Sequence, residues 1–379
     1  MTETNNRGEN KSMLPPNYIR PAKLGFVFII LFFTGISSAT AQINPILQQR
    51  ENNLSAVYKQ KLNANRAVLL SRKVKFVISA TEASQRSVKA LTGAKKTAIN
   101  NSLFNSRINK KYEIQPLYTV NTKVYSMRSR NLVSPIRNQW NCGSCWDFAI
   151  IACAETNYLM RHSKTDSNAI NINISEQQLL CNSNVGTCNG GATSTAAQWL
   201  FTNKVNMLSE SRLPYKSSLP KLGNEAESCP TPTSPGRTNA SLYRVVDFGL
   251  VPIKPGKLIP DVIDIKQAIL EHGAVTASFW ADSLVFAQII AWYAGGEYEE
   301  QEPTYTPPNY TPKPVGHAVA IVGWDDNIQC WIIKNSWGTI WGDNGYGLFK
   351  YGAHNIGSDA TWVEVEKVKP FLPIIIKAN

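Results

Sequence analysis

The chain has 379 residues, of which 43% are hydrophobic and 17% are charged, so it can bury a sizeable core and is not a low-complexity protein. Its net charge of +12 would suit a nucleic-acid-binding protein, but residues 42–120 alone carry +11 and residues 121–379 carry −1. Aromatic residues are not interleaved with the Lys/Arg clusters of the basic segment, which argues against nucleic acid as a partner.

An apolar run at residues 24–36 follows two basic residues and precedes the small residues 37–41. This layout is typical of a secretory signal with an A-x-A cleavage site, so we expect residues 1–41 to be a signal peptide. The protein is then secreted, periplasmic or at the cell surface. The run is short for a membrane span, which needs about 20 apolar residues, so we expect a membrane partner only if the signal stays uncleaved. Translation from Met1 or from Met13 remains open.

The basic segment, residues 42–120, has no cysteine and a single glycine, Gly93. Its pattern predicts helices around residues 54–70 and 84–102, with a strand at residues 73–79 between them. We interpret the segment as a cleavable prosegment that covers a catalytic domain. The alternative is a small accessory α/β unit.

Glycine, tryptophan and cysteine become common from residue 121, as expected for a compact domain with tight turns. Helices are predicted from Cys145 onward and at residues 174–181, 192–200 and 262–272, and strands at residues 242–251, 274–279, 318–324 and 330–334. A proline-rich link at residues 231–236 separates an α-rich part, residues 121–230, from a β-rich part, residues 231–379. This order predicts an α+β protein with an interface between unlike lobes.

Cys145 lies where a loop of small residues meets an apolar helical pattern. A sulfur at a helix N-terminus is favoured as a thiolate by the helix dipole. Seven cysteines in an exported chain suggest an even set in disulfides and one left free, which makes a free thiol a functional candidate. Asp147 also lies in the first helical turn, where its negative charge suits the dipole but would raise the pKa of the nearby thiol.

A cysteine nucleophile needs a base, and one of the four histidines has a suitable context. His317 stands at the mouth of the buried strand at residues 318–324, where an imidazole can be held rigidly. Asn335 ends another strand, and its amide could accept a hydrogen bond from His317 and fix the tautomer. Taken singly, both residues are more often buried groups that satisfy core hydrogen bonds.

Four separated motifs resemble those of the papain-like cysteine peptidases, the family that includes the cathepsins. They are Gln139-x-x-Cys142-Gly143-Ser144-Cys145-Trp146, Cys188-Asn189-Gly190-Gly191, Gly316-His317-Ala318-Val319 and Asn335-Ser336-Trp337-Gly338-x-x-Trp341-Gly342. They occur in the order and approximate spacing of the family. The resemblance covers about residues 121–365.

The resemblance implies a papain-like two-lobe fold and a cysteine endopeptidase that needs no cofactor and no metal. Cys145 would be the nucleophile, His317 the base and Asn335 its orienting partner. The Gln139 side chain and the Cys145 backbone N–H would form the oxyanion hole. Cys142 and Cys145 are spaced C-x-x-C, but no second cluster suggests zinc.

The resemblance also implies a cleft that binds protein or peptide substrates. Its residues would be Gly190, Gly191, Ala192, Val315, Gly316, Ala318 and Trp337. Ala360 or its neighbour Asp359 would form the floor of a specificity pocket, so acceptance of basic side chains is open. Gly316 departs from the family, because Asp or Asn is common before the histidine.

The same resemblance assigns the cysteines. The implied disulfides are Cys142 with Cys188 and Cys181 with Cys229. Cys153 and Cys330 are left over, and we favour buried free thiols over a mutual bridge.

Three functional questions stay open in the sequence. The prosegment is expected to act as an intramolecular inhibitor, and its charge suggests an electrostatic mode. Residues 297–310 form an acidic, Pro- and Tyr-rich loop that is either a solvated insertion or part of the cleft rim. The alternatives to a peptidase are a catalytically weak peptide-binding protein with this fold and a surface-anchored interaction protein that uses its basic N-terminal third.

Overall fold

The structure, a computed structural model, describes residues 44–96, 118–216 and 242–368. The predicted signal peptide and the proline-rich link lie outside the described residues. Helices are α1 (Pro45–Asn52), α2 (Ala56–Ser71), α3 (Val88–Leu91), α4 (Cys145–His162), α5 (Glu176–Asn182), α6 (Thr193–Thr202), α7 (Val262–His272) and α8 (Ser283–Gln288). Strands are β1 (Lys75–Ile78), β2 (Val124–Ser126), β3 (Leu242–Leu250), β4 (Val275–Asp282), β5 (Tyr293–Tyr298), β6 (Pro314–Asp325), β7 (Cys330–Lys334), β8 (Tyr346–Lys350) and β9 (Thr361–Val368). In these three ranges we find no helix that combines the length and apolarity needed to span a membrane.

The helices predicted in the domain are confirmed, and α4 does begin at Cys145. Local signals explain the bounds of α5, because the Ser175 hydroxyl accepts a hydrogen bond from the Gln178 N–H at 3.2 Å. The Gln178 Oε1 accepts from the Leu208 N–H at 2.7 Å and thereby ties α5 to the loop after α6.

A seven-stranded sheet forms the β-rich lobe, with strand order β1-β5-β8-β7-β6-β2 and with β4 also paired to β6. The long strand β6 is the centre of this sheet, because its N-terminal half pairs with β4 and its C-terminal half with β7 and β2. The four strands predicted in this half are confirmed. Since β6 is buried almost throughout, His317 is fixed on a rigid element.

The lobes exchange strands with each other. Strand β2 comes from the N-terminal part of the domain, yet it pairs with β6 in the β-rich lobe. Strands β3 and β9 come from the C-terminal part and pair with each other, yet they pack on helices α6 and α4 of the N-terminal part. A division of the chain at the proline-rich link therefore does not coincide with the lobes.

In the prosegment, α2 and β1 agree with the predicted helix and strand, α1 was not predicted, and the prediction after β1 is wrong. The predicted helix at residues 84–102 is reduced to the four residues of α3, and Thr92 is extended with φ −114° and ψ 160°. The helix ends because the Gly93 and Ala94 N–H groups both donate to the Gly316 carbonyl, at 2.9 and 3.1 Å. Residues 97–102 of the predicted helix lie outside the described residues.

The acidic loop contacts the prosegment. The Arg72 guanidinium at the end of α2 donates to the carbonyls of Glu302 and Pro303, at 2.7 and 3.0 Å. The Thr304 hydroxyl donates to the Asn65 side chain of α2 at 2.5 Å. The loop therefore serves as a contact surface for the prosegment and is not only a solvated insertion.

The cysteines follow the assignment by resemblance where they are described. Cys142 and Cys188 form a disulfide, and Cys181 is also disulfide-bonded, while its expected partner Cys229 lies outside the described residues. Cys153 and Cys330 are buried free thiols, as favoured. Because Cys145 is free as well, three described thiols are unpaired, and the expectation of one free cysteine is wrong.

Candidate active site

Three elements bring the predicted catalytic residues to the junction of the lobes. Cys145 begins α4, His317 lies on β6, and Asn335 directly follows β7. The thiol is completely buried and packs with Ala149, with Ala318 next to His317, and with Ala94 of the prosegment. The structure therefore joins residues that are far apart in the sequence.

Hydrogen bonds define the tautomer of His317. Its Nε2 lies 2.8 Å from the Asn335 Oδ1, and the same oxygen accepts from the Ser336 N–H at 2.8 Å. Because an amide oxygen can only accept, His317 Nε2 carries the proton and Nδ1 is the basic nitrogen. Nδ1 forms no hydrogen bond within the described part of the chain.

Aromatic rings enclose the imidazole. The Trp337 ring lies 4.4 Å from the His317 ring, centroid to centroid, and Phe279 presents its ring edge-on at 5.5 Å. These rings exclude water and restrict rotation of the imidazole. Trp337, predicted to bind substrate, is itself fully buried in this form.

Gln139 is held in place by Ser336, a residue that the sequence analysis assigned no role. The Ser336 hydroxyl donates to Gln139 Oε1 at 2.6 Å, which turns the Gln139 NH₂ group toward the cleft. That group donates to the carbonyls of Cys142 at 2.9 Å and of Ala90, in the prosegment, at 3.1 Å. The only signal for Ser336 was its place directly after Asn335.

Burial sets the protonation of the site in this form. Desolvation raises the pKa of the Cys145 thiol to about 12, although backbone N–H groups, first that of Ala318, lower it in part. Desolvation also lowers the pKa of His317 to about 4. The hydrogen bond with Asn335 and the nearby carbonyl oxygen of Leu91 each raise this pKa, but by less. Here burial outweighs the helix dipole, so near pH 7 the Cys145 thiol and the His317 imidazole are both neutral.

Prosegment residues after α3 occupy the cleft in an extended conformation. On one wall, the Gly191 N–H donates to the Gly93 carbonyl at 2.9 Å, and the Lys95 N–H donates to the Gly191 carbonyl at 2.8 Å. On the other wall, Gly93 and Ala94 donate to Gly316. A Cβ atom at Gly93 would lie 1.9 Å from the Gly143 carbonyl oxygen, so only glycine fits. This explains the position of the single glycine of the prosegment.

The predicted substrate-binding residues divide into two groups. Gly190, Gly191, Val315, Gly316 and Ala318 lie beside the prosegment. Ala192 and Trp337 are buried and are not among the described residues that line the cavity beside it. Ala360 is buried as well. Asp359 accepts hydrogen bonds from Thr193 Oγ1 at 2.8 Å and from the Ser194 N–H at 3.2 Å, which places its carboxylate at the start of α6. Burial raises the pKa of Asp359.

The sequence analysis expected Asp147 to be negatively charged in the first turn of α4, but its surroundings favour the neutral form. It is fully buried, and neither carboxyl oxygen has a hydrogen-bond partner among the residues that the structure describes. Burial, and then the neighbouring carboxyl groups of Glu176 and Glu210, raise the pKa of Asp147 well above its usual range. A neutral carboxylic acid is the form that this environment favours.

Within the described ranges, no group of three or more His, Cys, Asp or Glu side chains is arranged to hold a metal ion. Two of the remaining histidines are engaged elsewhere. His272 stacks on Trp362 with ring centroids 3.8 Å apart, and His354 Nε2 lies 2.8 Å from the Tyr298 hydroxyl.

Comparison with known proteins now gives the site its family. The profile described as "Papain family cysteine protease" matches residues 121–364, which is more than half of the chain and includes all four predicted catalytic residues. The chain belongs to the papain family. The two-lobe α+β architecture and the prosegment agree with that membership.

Individual relatives support the same family assignment. "Peptidase 1" of Euroglyphus maynei is 31% identical over 226 residues, which are 59% of this chain and 59% of that relative. "Pro-cathepsin H" of Mus musculus is 29% identical over 232 residues, 60% of this chain and 59% of that relative. "Cysteine proteinase 1" of Entamoeba histolytica is 26% identical over 331 residues, 85% of this chain and 92% of that relative.

Solved papain-family structures show the likeness in fold. Digestive procathepsin L 3 of Tenebrio molitor has a TM-score of 0.53 at 20% identity, over 85% of this chain and 93% of that one. ProCathepsin B S9 of Trypanosoma congolense has a TM-score of 0.57 at 19% identity, over 83% of this chain and 99% of that one.

Proposed function

We propose that the protein is an exported cysteine endopeptidase made as an inactive precursor, with Cys145 as nucleophile. The observation that carries this proposal is the arrangement of the buried thiol beside β6 with an imidazole whose Nε2 proton is held by Asn335. This leaves Nδ1 as the base on the side away from the amide. The signal-like layout of residues 1–41 supports export.

The reaction follows from these groups. His317 Nδ1 takes the thiol proton, and the Cys145 sulfur attacks the carbonyl carbon of a peptide bond. The C–N bond then breaks, and the amine leaves with the proton from His317. Water attacks the resulting thioester, again giving a proton to His317, and release of the acid restores the thiol. Once the prosegment has left and water can enter the cleft, the ionised thiolate–imidazolium state becomes favourable.

Gln139 is proposed to stabilise the negative oxygen of the tetrahedral intermediate together with the Cys145 backbone N–H. In the precursor its NH₂ group donates to the Ala90 carbonyl, so it already faces carbonyl oxygen in the cleft. Loss of one such donor typically costs about 100- to 1,000-fold in rate. The Ser336 hydroxyl is a positioning group for this amide.

The prosegment is proposed to inhibit by occupying the cleft rather than by charge. Of the described residues 88–96, none forms an ion pair with the cleft walls. Most contacts are hydrogen bonds of the backbone and close glycine packing, and the one charged contact among them is that of Lys96 with the Trp280 ring. The segment also runs from Gln139 toward Gly191. If the substrate residues before the cut pair with Gly191, as the resemblance implies, the prosegment runs in the opposite direction to a substrate and presents no bond in register for cleavage.

We also propose the boundaries of the precursor. We assign residues 1–41 to the signal, residues 42–120 to the prosegment and residues 121–379 to the peptidase domain. The second disulfide is proposed between Cys181 and Cys229, and the substrates are proteins or peptides.

The test uses the full chain without its signal, expressed with Cys145 or with Cys145→Ala. We expect the processed wild-type protein to cleave fluorogenic peptides and to be titrated by one equivalent of a thiol-reactive peptide electrophile. The Cys145→Ala protein should fold, as judged by circular dichroism, and cleave nothing. Equal turnover by the two proteins would refute Cys145 as the nucleophile. Peptide binding without any turnover by the wild-type protein would support the peptide-binding alternative.

A further inference from the structure

Trp280 is an aromatic side chain in the cleft that the proposed mechanism does not use. It lies on β4 opposite Gly316, the residue before His317. A Cβ atom at Gly316 would lie 2.7 Å from Cζ3 of the Trp280 ring, so the ring occupies the space that any side chain at this position would need. The Trp280 ring therefore explains why residue 316 is glycine here and not the Asp or Asn that is common before the histidine.

The exposed face of Trp280 contacts a cation in the precursor. The Lys96 ammonium lies 5.2 Å from the centre of the ring, within the range of a cation–π interaction. The ring also lines a cavity of about 370 Å³, whose walls are Val315, Cys188 and Asn189 of the domain and residues of the prosegment. No Asp or Glu is among the described residues that line this cavity, so no carboxylate there competes with the indole for a cation.

We propose that Trp280 is a specificity-determining residue that binds the side chain of a lysine or arginine in the peptide substrate. The inference rests on the proposed peptidase function and names part of its substrate class. Lys89 and Lys95 of the prosegment line this cavity in the precursor. Removal of the prosegment opens this side of the cleft and frees the face of the Trp280 ring for a basic side chain of the substrate.

The experiment compares lysine with norleucine, which keeps the methylene chain and lacks the charge. Processed wild-type protein, Trp280→Leu and Trp280→Phe are assayed on peptides in which lysine or norleucine is placed in turn at each of the four positions nearest the cut. At one position we expect the wild-type kcat/KM to be about 3- to 30-fold higher with lysine, a range that follows from the usual strength of a cation–π contact. Trp280→Leu should remove this ratio, and Trp280→Phe, which keeps an aromatic face, should retain part of it.

A binding arm makes the test independent of turnover. Cys145→Ala chains, with and without Trp280→Leu, are freed of the prosegment with an added protease and titrated with a synthetic peptide of residues 88–96. The same peptide with norleucine in place of Lys96 should bind about 3- to 30-fold more weakly to the chain with Trp280, and equally to the chain with leucine. Equal binding of both peptides to the chain with Trp280 would overturn the inference. A wild-type protein that binds with this preference but hydrolyses nothing would instead overturn the proposed function.

Discussion

Replacement of Asp147 by Asn should raise the free energy of unfolding relative to wild type. The gain should be small at acid pH and larger at neutral pH. The carboxyl is completely buried, without a hydrogen-bond partner in the described ranges, and its pKa is raised by burial and by Glu176 and Glu210. A group whose pKa is raised on folding contributes its stability fully below its unfolded pKa. That contribution is lost as the pH rises toward the folded pKa.

The magnitude follows from proton linkage. The ordinary Asp pKa is about 3.9, and each pH unit between that value and the raised pKa lowers the free energy of unfolding by about 1.4 kcal/mol. Asn has nearly the same shape and does not titrate. We therefore expect little difference between the two proteins near pH 4 and a growing advantage of Asp147→Asn, at about 1.4 kcal/mol per pH unit, until Asp147 ionises.

Urea unfolding between pH 4 and pH 8 would measure this difference. Both chains carry Cys145→Ala, so that no self-cleavage interferes, and both keep Glu176 and Glu210, so the difference isolates Asp147. Asp261→Asn is the control of opposite sign, because hydrogen bonds from Lys254 and Lys257 lower the pKa of Asp261. Its contribution is present above the ordinary Asp pKa and is lost as the pH falls. Parallel pH profiles of wild type and Asp147→Asn would refute the assignment of Asp147 as a buried neutral acid.

Two further outcomes are expected in the precursor. A Cβ atom at Gly296 on β5 would lie 2.4 Å from the Lys75 carbonyl of β1, whereas one at Gly295 meets nothing within 4 Å although its φ is also positive. Added trypsin should therefore remove the prosegment about fivefold or more faster from Gly296→Ala than from Gly295→Ala. Equal rates would contradict the idea that pairing of β1 with β5 holds the prosegment in place. Because burial raises the pKa of Cys145 to about 12, iodoacetamide should alkylate it on the order of 1,000-fold more slowly than a free cysteine near pH 7. Peptide mapping by mass spectrometry checks this, and rapid labelling before processing would show that the thiol is not covered.

Elements with local signals were predicted closely. Helix α7 has the predicted bounds because an apolar helical pattern lies between Asp261, its N-cap residue, and Gly273, whose φ of +88° ends it. The proposed catalytic residues could be named because each stands in a short motif. Their distances could not, because they depend on strands and helices that meet only after folding.

What the sequence could not indicate are contacts between distant segments. The pattern after residue 84 reads as helical, yet Gly93 and Ala94 leave the helix because the cleft offers their N–H groups another partner. The charge of Asp147 was assigned from its place in a helix, but its protonation depends on Glu176 and Glu210, which come from other parts of the chain. Ser336 gained its role only from the fold.

The exchange of strands between the lobes determines how the peptidase domain can be divided. A fragment that ends at the proline-rich link would expose the face of α4 that β9 covers, and the complementary fragment would lack β2 at the edge of its sheet. Neither half is then a self-sufficient folding unit, although the sequence changes character between them. The two fragments would have to fold together, so the width of the cleft is a property of the whole domain and is not set by a single hinge.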